Sequence, residues 1–168
     1  MNRKKYDIVA NVRSIKIGRS LIFFAVAFLA GCSWFAKDEA KLVVINVLDP
    51  SYYQDCHISG SVNIPFEQFE DTIKTLRKQD NYVVYCSNHA CTAAPFAASM
   101  MKDNGFESVA LLPGGIVEWY QKKLPYTGPA QLQYLQEENV PLVEDAHGSV
   151  QALTSDELYE QLKAAKLV

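Results

Sequence analysis

Cys86 is the residue of this sequence best placed to do chemistry. An apolar run over 82–85, typical of a buried strand, leads into it, and the Ala-rich stretch after Thr92 predicts a helix. A thiol between a strand end and a helix start faces backbone N–H groups and the positive end of the helix dipole. Both effects lower the pKa of a cysteine, so we expect a thiolate nucleophile at Cys86.

The loop between this strand and helix carries no charged side chain. Backbone amides must therefore hold any anion bound there, including a terminal sulfur anion, over the residues Cys86, Ser87, Asn88, His89, Ala90, Cys91 and Thr92. Cys91 is a candidate resolving thiol, which would make the cysteine pair a thiol–disulfide redox centre. His89 could hydrogen-bond a substrate or assist the thiolate. The alternative is that Cys86 is a buried apolar residue that ends a strand.

No metal site or cofactor is predicted from this pattern. Cys86, His89 and Cys91 lack the second ligand pair that a zinc site of this kind needs.

The first 32 residues have the pattern of a bacterial export signal. Basic residues lead into the apolar run 21–29, which is too short to span a membrane but has the length of a signal-peptide core. Leu-Ala-Gly-Cys over 29–32 resembles the lipobox, in which the cysteine is lipidated and becomes the new N-terminus. We predict a cleaved signal peptide over 1–31 and a periplasm-facing lipoprotein anchored through Cys32. Ser33 favours the inner leaflet of the outer membrane; the alternative is an amphipathic helix that happens to end in Gly-Cys.

Charge limits the partners of the mature part. The chain has a net charge of −3, but after residue 31 only ten basic residues face eighteen acidic ones, a net charge of −8. Such acidity excludes a nucleic-acid partner and repels anionic lipids, so membrane attachment depends on the anchor. Besides Cys32 the chain has Cys56, Cys86 and Cys91, an odd number for an oxidising compartment, so at least one thiol is free or reactive unless it pairs between chains.

Short strands alternate with helices along the mature chain. This order predicts an α/β fold with a central parallel sheet and helices on both faces. Ligands of such sheets bind at the carboxyl ends of the strands, and Cys86 lies at one. The predicted strands are 41–47, 62–64, 82–85 and 108–112, and the predicted helices run from 66 to near 80, from 92 to 104, and over 116–123.

Several segments together resemble the rhodanese (thiosulfate sulfurtransferase) domain family over residues 41–129. Residues 43–53 look like its opening strand followed by an acid-Pro-x-x-Tyr turn. His-Ile-Ser-Gly-Ser-Val-Asn-Ile-Pro over 57–65 is similar to its signature His-Ile-x-Gly-Ala-x-Asn-Ile-Pro. Residues 82–92 resemble the active-site strand and loop, and Pro-Gly-Gly over 113–115 with Trp119 resembles the closing motif.

The resemblance implies a sulfurtransferase of the thiosulfate type. Cys86 would accept a sulfane sulfur as a persulfide, held by the backbone from Ser87 to Thr92, and pass it to a thiol or cyanide-like acceptor. The donor would be small, thiosulfate-like or a persulfide. The loop length resembles the sulfur-handling members, whereas the phosphatase and arsenate-reductase relatives have one residue more and a final Arg.

One departure from the family pattern leaves a non-catalytic reading open. Asn46 and Leu48 replace the usual Asp-x-Arg of the first strand, so an ion pair that braces the site in relatives cannot form. A module of this kind would bind a partner, such as a periplasmic protein, instead of transferring sulfur.

The C-terminal segment has the pattern of a strand and a helix, two elements that are missing before the first buried strand. Rhodanese domains usually begin with a short strand and a helix, but only the tether 32–40 precedes the first buried strand here. Residues 148–153 read as a strand, and a capping box at 154–157 begins a helix with Leu158 and Leu162 on one face. We predict a circular permutation in which 148–168 docks on the same domain through the connecting arm 130–147. The alternatives are a second, truncated domain or a partner-binding arm.

Overall fold

Five parallel strands form the central sheet in the computed structural model, which describes residues 39–140 and 150–168. The predicted signal peptide, Cys32, residues 141–147 of the arm and the first two residues of the predicted C-terminal segment lie outside these ranges. In spatial order the strands are β3 (Val62–Asn63), β1 (Leu42–Asn46), β4 (Asn81–Tyr85), β5 (Ser108–Leu112) and β7 (Gln151–Ala152). A separate antiparallel pair joins β2 (His57–Ile58) to β6 (Tyr126–Thr127).

Five α-helices and one 3₁₀-helix accompany the strands in the described residues. They are α1 (Pro50–Asp55), α2 (Phe66–Ile73), α3 (Ala93–Asp103), α4 (Gly115–Gln121), the 3₁₀-helix Gln133–Gln136, and α5 (Ser155–Ala164). None of these helices has the length and apolar character needed to cross a membrane.

The helices cover both faces of the sheet, which confirms the predicted architecture. Neighbouring residues of a strand point to opposite faces, so Val84 and Leu111 join the core under α2 and α3. Val83 and Leu112 join the second core, under α4 and α5. The three central strands β1, β4 and β5 are therefore buried on both sides, as their β-branched and apolar composition indicates.

Two local predictions were wrong in their bounds. Helix α2 ends at Ile73 and not near residue 80, because the N–H groups of Thr75 and Leu76 donate to the carbonyls three residues earlier and the chain turns. The sequence predicted only a turn at Asp49-Pro50, after the first strand. Pro50 instead begins α1, where its missing N–H costs no hydrogen bond.

The C-terminal strand and helix share the sheet and core of the preceding residues. Strand β7 pairs in parallel with β5 at the edge of the sheet. Helix α5 begins with a capping box between Thr154 and Glu157 and buries Leu158 and Leu162 completely. Whether these elements replace the front end of the family's fold, as a circular permutation requires, stays a prediction.

Candidate functional site

Cys86 lies at the carboxyl end of β4 and is only 2% exposed. The start of α4 holds the backbone of Cys86 and of the residue after it. The carbonyl of Cys86 accepts a hydrogen bond from the N–H of Ile116 at 3.0 Å, and the carbonyl of Ser87 accepts one from Val117 at 2.9 Å. The strand end and the beginning of the loop are thus fixed to a helix on one face of the sheet.

Gly115 makes this close approach of α4 possible. Its φ is +58°, in the left-handed region that favours glycine, and an added Cβ would lie 2.6 Å from the carbonyl oxygen of Cys86. A side chain at this position would therefore push α4 away from the Cys86 backbone. The Pro-Gly-Gly turn singled out in the sequence owes its second glycine to this contact.

Asn88 organises the loop that follows Cys86. Its carbonyl oxygen accepts from the N–H of Cys91 at 3.1 Å, and its side-chain Oδ1 accepts from the N–H of Ala90 at 3.1 Å. The N–H of His89 donates to Oδ1 of Asn139 at 3.2 Å, and Nδ2 of Asn139 donates to the carbonyl of Gly114 at 2.8 Å. Three of the loop amides expected to hold sulfur therefore already have protein acceptors.

The other amides of the loop have no hydrogen-bond acceptor in the described part of the chain. None of the described residues accepts a hydrogen bond from the N–H groups of Ser87, Asn88 or Thr92. Thr92 occupies the N-cap position of α3, although its side chain accepts no helix N–H. These three amides are therefore free to donate to an anion bound in the loop.

Cys86 and Cys91 form a disulfide, with their Cα atoms 6.3 Å apart. This separation is within the usual range for bridged cysteines. Cys91 is partly exposed and packs against the core that contains Cys86. The two cysteines that the sequence proposed as nucleophile and resolving thiol are thus brought together.

Cys56 is free and lies in the second core, where it is completely buried. Burial, together with the nearby Asp55 carboxylate, raises the pKa of its thiol to about 12. It therefore stays protonated at neutral pH, and the structure gives it a packing role.

A polar network that the sequence did not predict holds the side chain of His89. Its Nε2 lies 3.4 Å from Oε2 of Glu118, on α4. Oε1 of Glu118 accepts a hydrogen bond from the hydroxyl of Ser155 at 2.8 Å and lies 3.2 Å from Nζ of Lys122. Nδ1 of His89 is buried and has no partner among the described residues. The network links the loop to the first residue of α5.

Glu118 is ionised within this network. Burial raises the pKa of its carboxyl, but the hydrogen bonds from Ser155 and Lys122 and the charge of Lys122 outweigh burial and lower it. The spacing of Glu118 and Lys122, four residues apart on one helix, was the one sequence signal for this cluster.

A neutral amide replaces the ion pair expected from the family pattern. Asn46 is fully buried at the end of β1, and its Oδ1 accepts from the N–H of Leu48 at 2.9 Å and from Nδ2 of Asn63 at 3.2 Å. Nδ2 of Asn63 also donates to the carbonyl of Leu48 at 2.8 Å. The turn after β1 is therefore braced without charge.

A known family model matches the sequence of the chain. Residues 34–122, more than half of the chain, match the family model of the rhodanese-like domain. The chain therefore belongs to the rhodanese-like domain family. Asn139 and Ser155, which hold His89 directly or through Glu118, lie beyond the matched residues.

Relatives of the chain have names that belong to different functional classes. An HTH-type transcriptional regulator of Mycobacterium tuberculosis is 32% identical over 89 residues, which are 53% of this chain and 39% of the regulator. The "Putative sulfur carrier protein YrkF" of Bacillus subtilis is 29% identical over 84 residues, 50% of this chain and 44% of that protein. The similarity thus spans less than half the length of either relative.

A solved structure, the rhodanese-like domain of the Alr3790 protein from Anabaena, is 29% identical. It aligns with 53% of this chain and 89% of its own, at a TM-score of 0.48.

Proposed function

We propose that the chain is a sulfurtransferase or persulfide carrier that moves sulfane sulfur through a persulfide on Cys86. The observation that carries the proposal is the position of Cys86 in a member of the rhodanese-like family. It is buried at the carboxyl end of β4, directly before a loop with free N–H groups and a helix start. Such donors lower the pKa of a thiol, and the thiolate that results is a nucleophile.

The transfer begins with the reduced cysteine. The Cys86 thiolate attacks the outer sulfur of a donor such as thiosulfate, a new S–S bond forms, and sulfite leaves with the electron pair of the broken bond. An acceptor nucleophile then attacks the outer sulfur and regenerates the thiolate. The N–H groups of Ser87, Asn88 and Thr92, which have no acceptor among the described residues, would stabilise the persulfide anion.

The charge of the loop favours one class of donor. No residue from Cys86 to Thr92 is a lysine or an arginine, and the ring of His89 lies 3.4 Å from the anionic Glu118. A dianion such as thiosulfate is therefore a less suitable natural donor than a persulfide of lower charge. Thiosulfate remains useful as a probe at high concentration.

Substitution of the three cysteines tests the proposal. Transfer of sulfur from thiosulfate to cyanide by the purified, reduced full-length chain should be lost in Cys86→Ser. Cys91→Ser and Cys56→Ser should retain most of it, because neither residue forms the persulfide. Robust thiocyanate formation by Cys86→Ser would overturn the assignment.

Thiol–disulfide exchange is the second candidate function, and the Cys86–Cys91 disulfide favours it. A chain of this class would catalyse reduction of insulin disulfides by dithiothreitol without any sulfane sulfur, and Cys91→Ser would abolish the turnover. Insulin reduction by a chain that forms no thiocyanate would replace the first candidate with the second.

The location of the protein is a further part of the proposal. The basic flank, apolar core and Leu-Ala-Gly-Cys of 1–32 support a lipoprotein that faces the periplasm and is anchored through Cys32 in the inner leaflet of the outer membrane. Metabolic labelling with a radioactive fatty acid should mark the wild-type chain and not Cys32→Ser. Equal labelling of both would contradict it.

A further inference from the structure

The Cys86–Cys91 disulfide occupies Sγ of Cys86, the same atom that would carry a persulfide. We propose that Cys91 resolves the Cys86 persulfide, so that the sulfane sulfur leaves as sulfide and the disulfide remains. The inference rests on the proposed function and specifies its acceptor, an internal thiol. The chain would then be a sulfane-sulfur reductase that an external dithiol resets.

The geometry of the loop supports an internal acceptor. The Cα atoms of the two cysteines are 6.3 Å apart, and the hydrogen bond from the N–H of Cys91 to the carbonyl of Asn88 fixes the turn that brings them together. A second bond, from Ala90 to the side chain of Asn88, supports the same turn. Cys91 is therefore held beside Cys86 by the loop's own backbone.

The donors of the loop argue against long storage of a persulfide anion. A persulfide anion is stabilised by N–H groups that converge on it. In this loop the amides of His89, Ala90 and Cys91 donate to protein oxygens, so only those of Ser87, Asn88 and Thr92 remain for the anion, and no lysine or arginine of the loop compensates for the loss. The loop favours the approach of Cys91 over retention of the anion.

The reaction needs only the Cys86 persulfide, the Cys91 thiol and an external dithiol. The Cys91 sulfur attacks the inner sulfur of the persulfide, which is Sγ of Cys86, and forms the bond seen in the structure. The bond between inner and outer sulfur breaks, and the outer atom leaves as hydrosulfide with the electron pair and the Cys91 proton. The sulfane sulfur gains two electrons, which the two cysteines supply. An external dithiol then returns two electrons and two protons to the disulfide.

Loading the chain once with sulfur tests the inference. The reduced full-length chain, freed of reductant and kept without oxygen, is mixed with thiosulfate and, separately, with glutathione persulfide. For the wild type we expect one sulfide released per chain and a protein mass lower by two hydrogen atoms. Cys91→Ser should instead gain the mass of one sulfur atom and release sulfide only when dithiothreitol is added. Cys56→Ser serves as the matched control and should behave like the wild type.

The outcomes separate this inference from the proposed function. A wild-type chain that keeps an added sulfur on Cys86 and releases no sulfide would overturn the inference and leave the proposed function intact. If neither the wild type nor Cys91→Ser takes sulfur from either donor, the proposed function fails as well. Cys91→Ala provides a second variant, so that a folding defect of the serine variant does not decide the result.

Discussion

Truncating Leu162 to alanine should strongly destabilise the domain. Leu162 and Leu158 lie on one face of α5 and are both fully buried in the second core. Strand β7 contributes only two residues to the sheet, so the packing of these leucines must supply much of the energy that docks the C-terminus. A buried Leu→Ala substitution costs about 2–5 kcal/mol, because apolar contact is lost and a cavity remains.

That loss is a large part of the stability of a small domain, which is about 5–15 kcal/mol in total. Equilibrium unfolding of the full-length chain in urea measures it, with Trp119 as the probe, since this buried ring lies edge-on to Tyr159 of α5. Gln161→Ala, an exposed neighbour on the same helix, is the control and should change the free energy of unfolding by less than about 0.5 kcal/mol. A Leu162→Ala chain as stable as this control would refute the packing of α5.

Three further predictions concern the candidate site and the buried Cys56. Gly115→Ala should lower both the melting temperature and sulfur transfer, because its Cβ would meet the Cys86 carbonyl; unchanged values would contradict this contact. Since the pKa of Glu118 is lowered in the fold, its contribution to stability is complete above the ordinary carboxyl pKa and is lost as the pH falls through the lowered value. Melting temperatures of Glu118→Gln should accordingly depend less on acid pH than those of the wild type, and parallel curves would argue against the ionised network. Cys56, with its pKa raised to about 12, should resist iodoacetamide in the native chain and react after unfolding in urea; rapid native alkylation would show that it is accessible.

The sequence predicted the elements whose signals are local and periodic. β-branched runs indicated β1 and β4, and the Thr154–Glu157 pattern indicated the start of α5. The two-residue strands β2 and β6 could not be predicted in the same way, because they are too short for any alternation to be visible. They exist because His57 and Ile58 pair with residues about 70 positions later, and nothing local specifies such a partner.

The same limit applies to the site. Cys86 could be recognised because a strand end, a thiol and a helix start are consecutive in the chain. The residues around His89 could not, since Asn139 lies 50 positions from His89 and Ser155 lies 37 positions from Glu118. Their roles depend on how the arm and α5 return to the carboxyl end of the sheet, which only the tertiary structure defines.

The persulfide on Cys86 is the central claim, and mass spectrometry of the loaded chain tests it most directly. Cys91→Ser is treated with a sulfane donor, trapped with iodoacetamide and digested, and the peptide that contains residue 86 is analysed. We predict one added sulfur atom on Cys86, its loss as thiocyanate when cyanide is supplied before trapping, and no added sulfur in the double variant Cys86→Ser, Cys91→Ser. An unmodified Cys86, or an added sulfur that is found on Cys56 instead, would contradict the account.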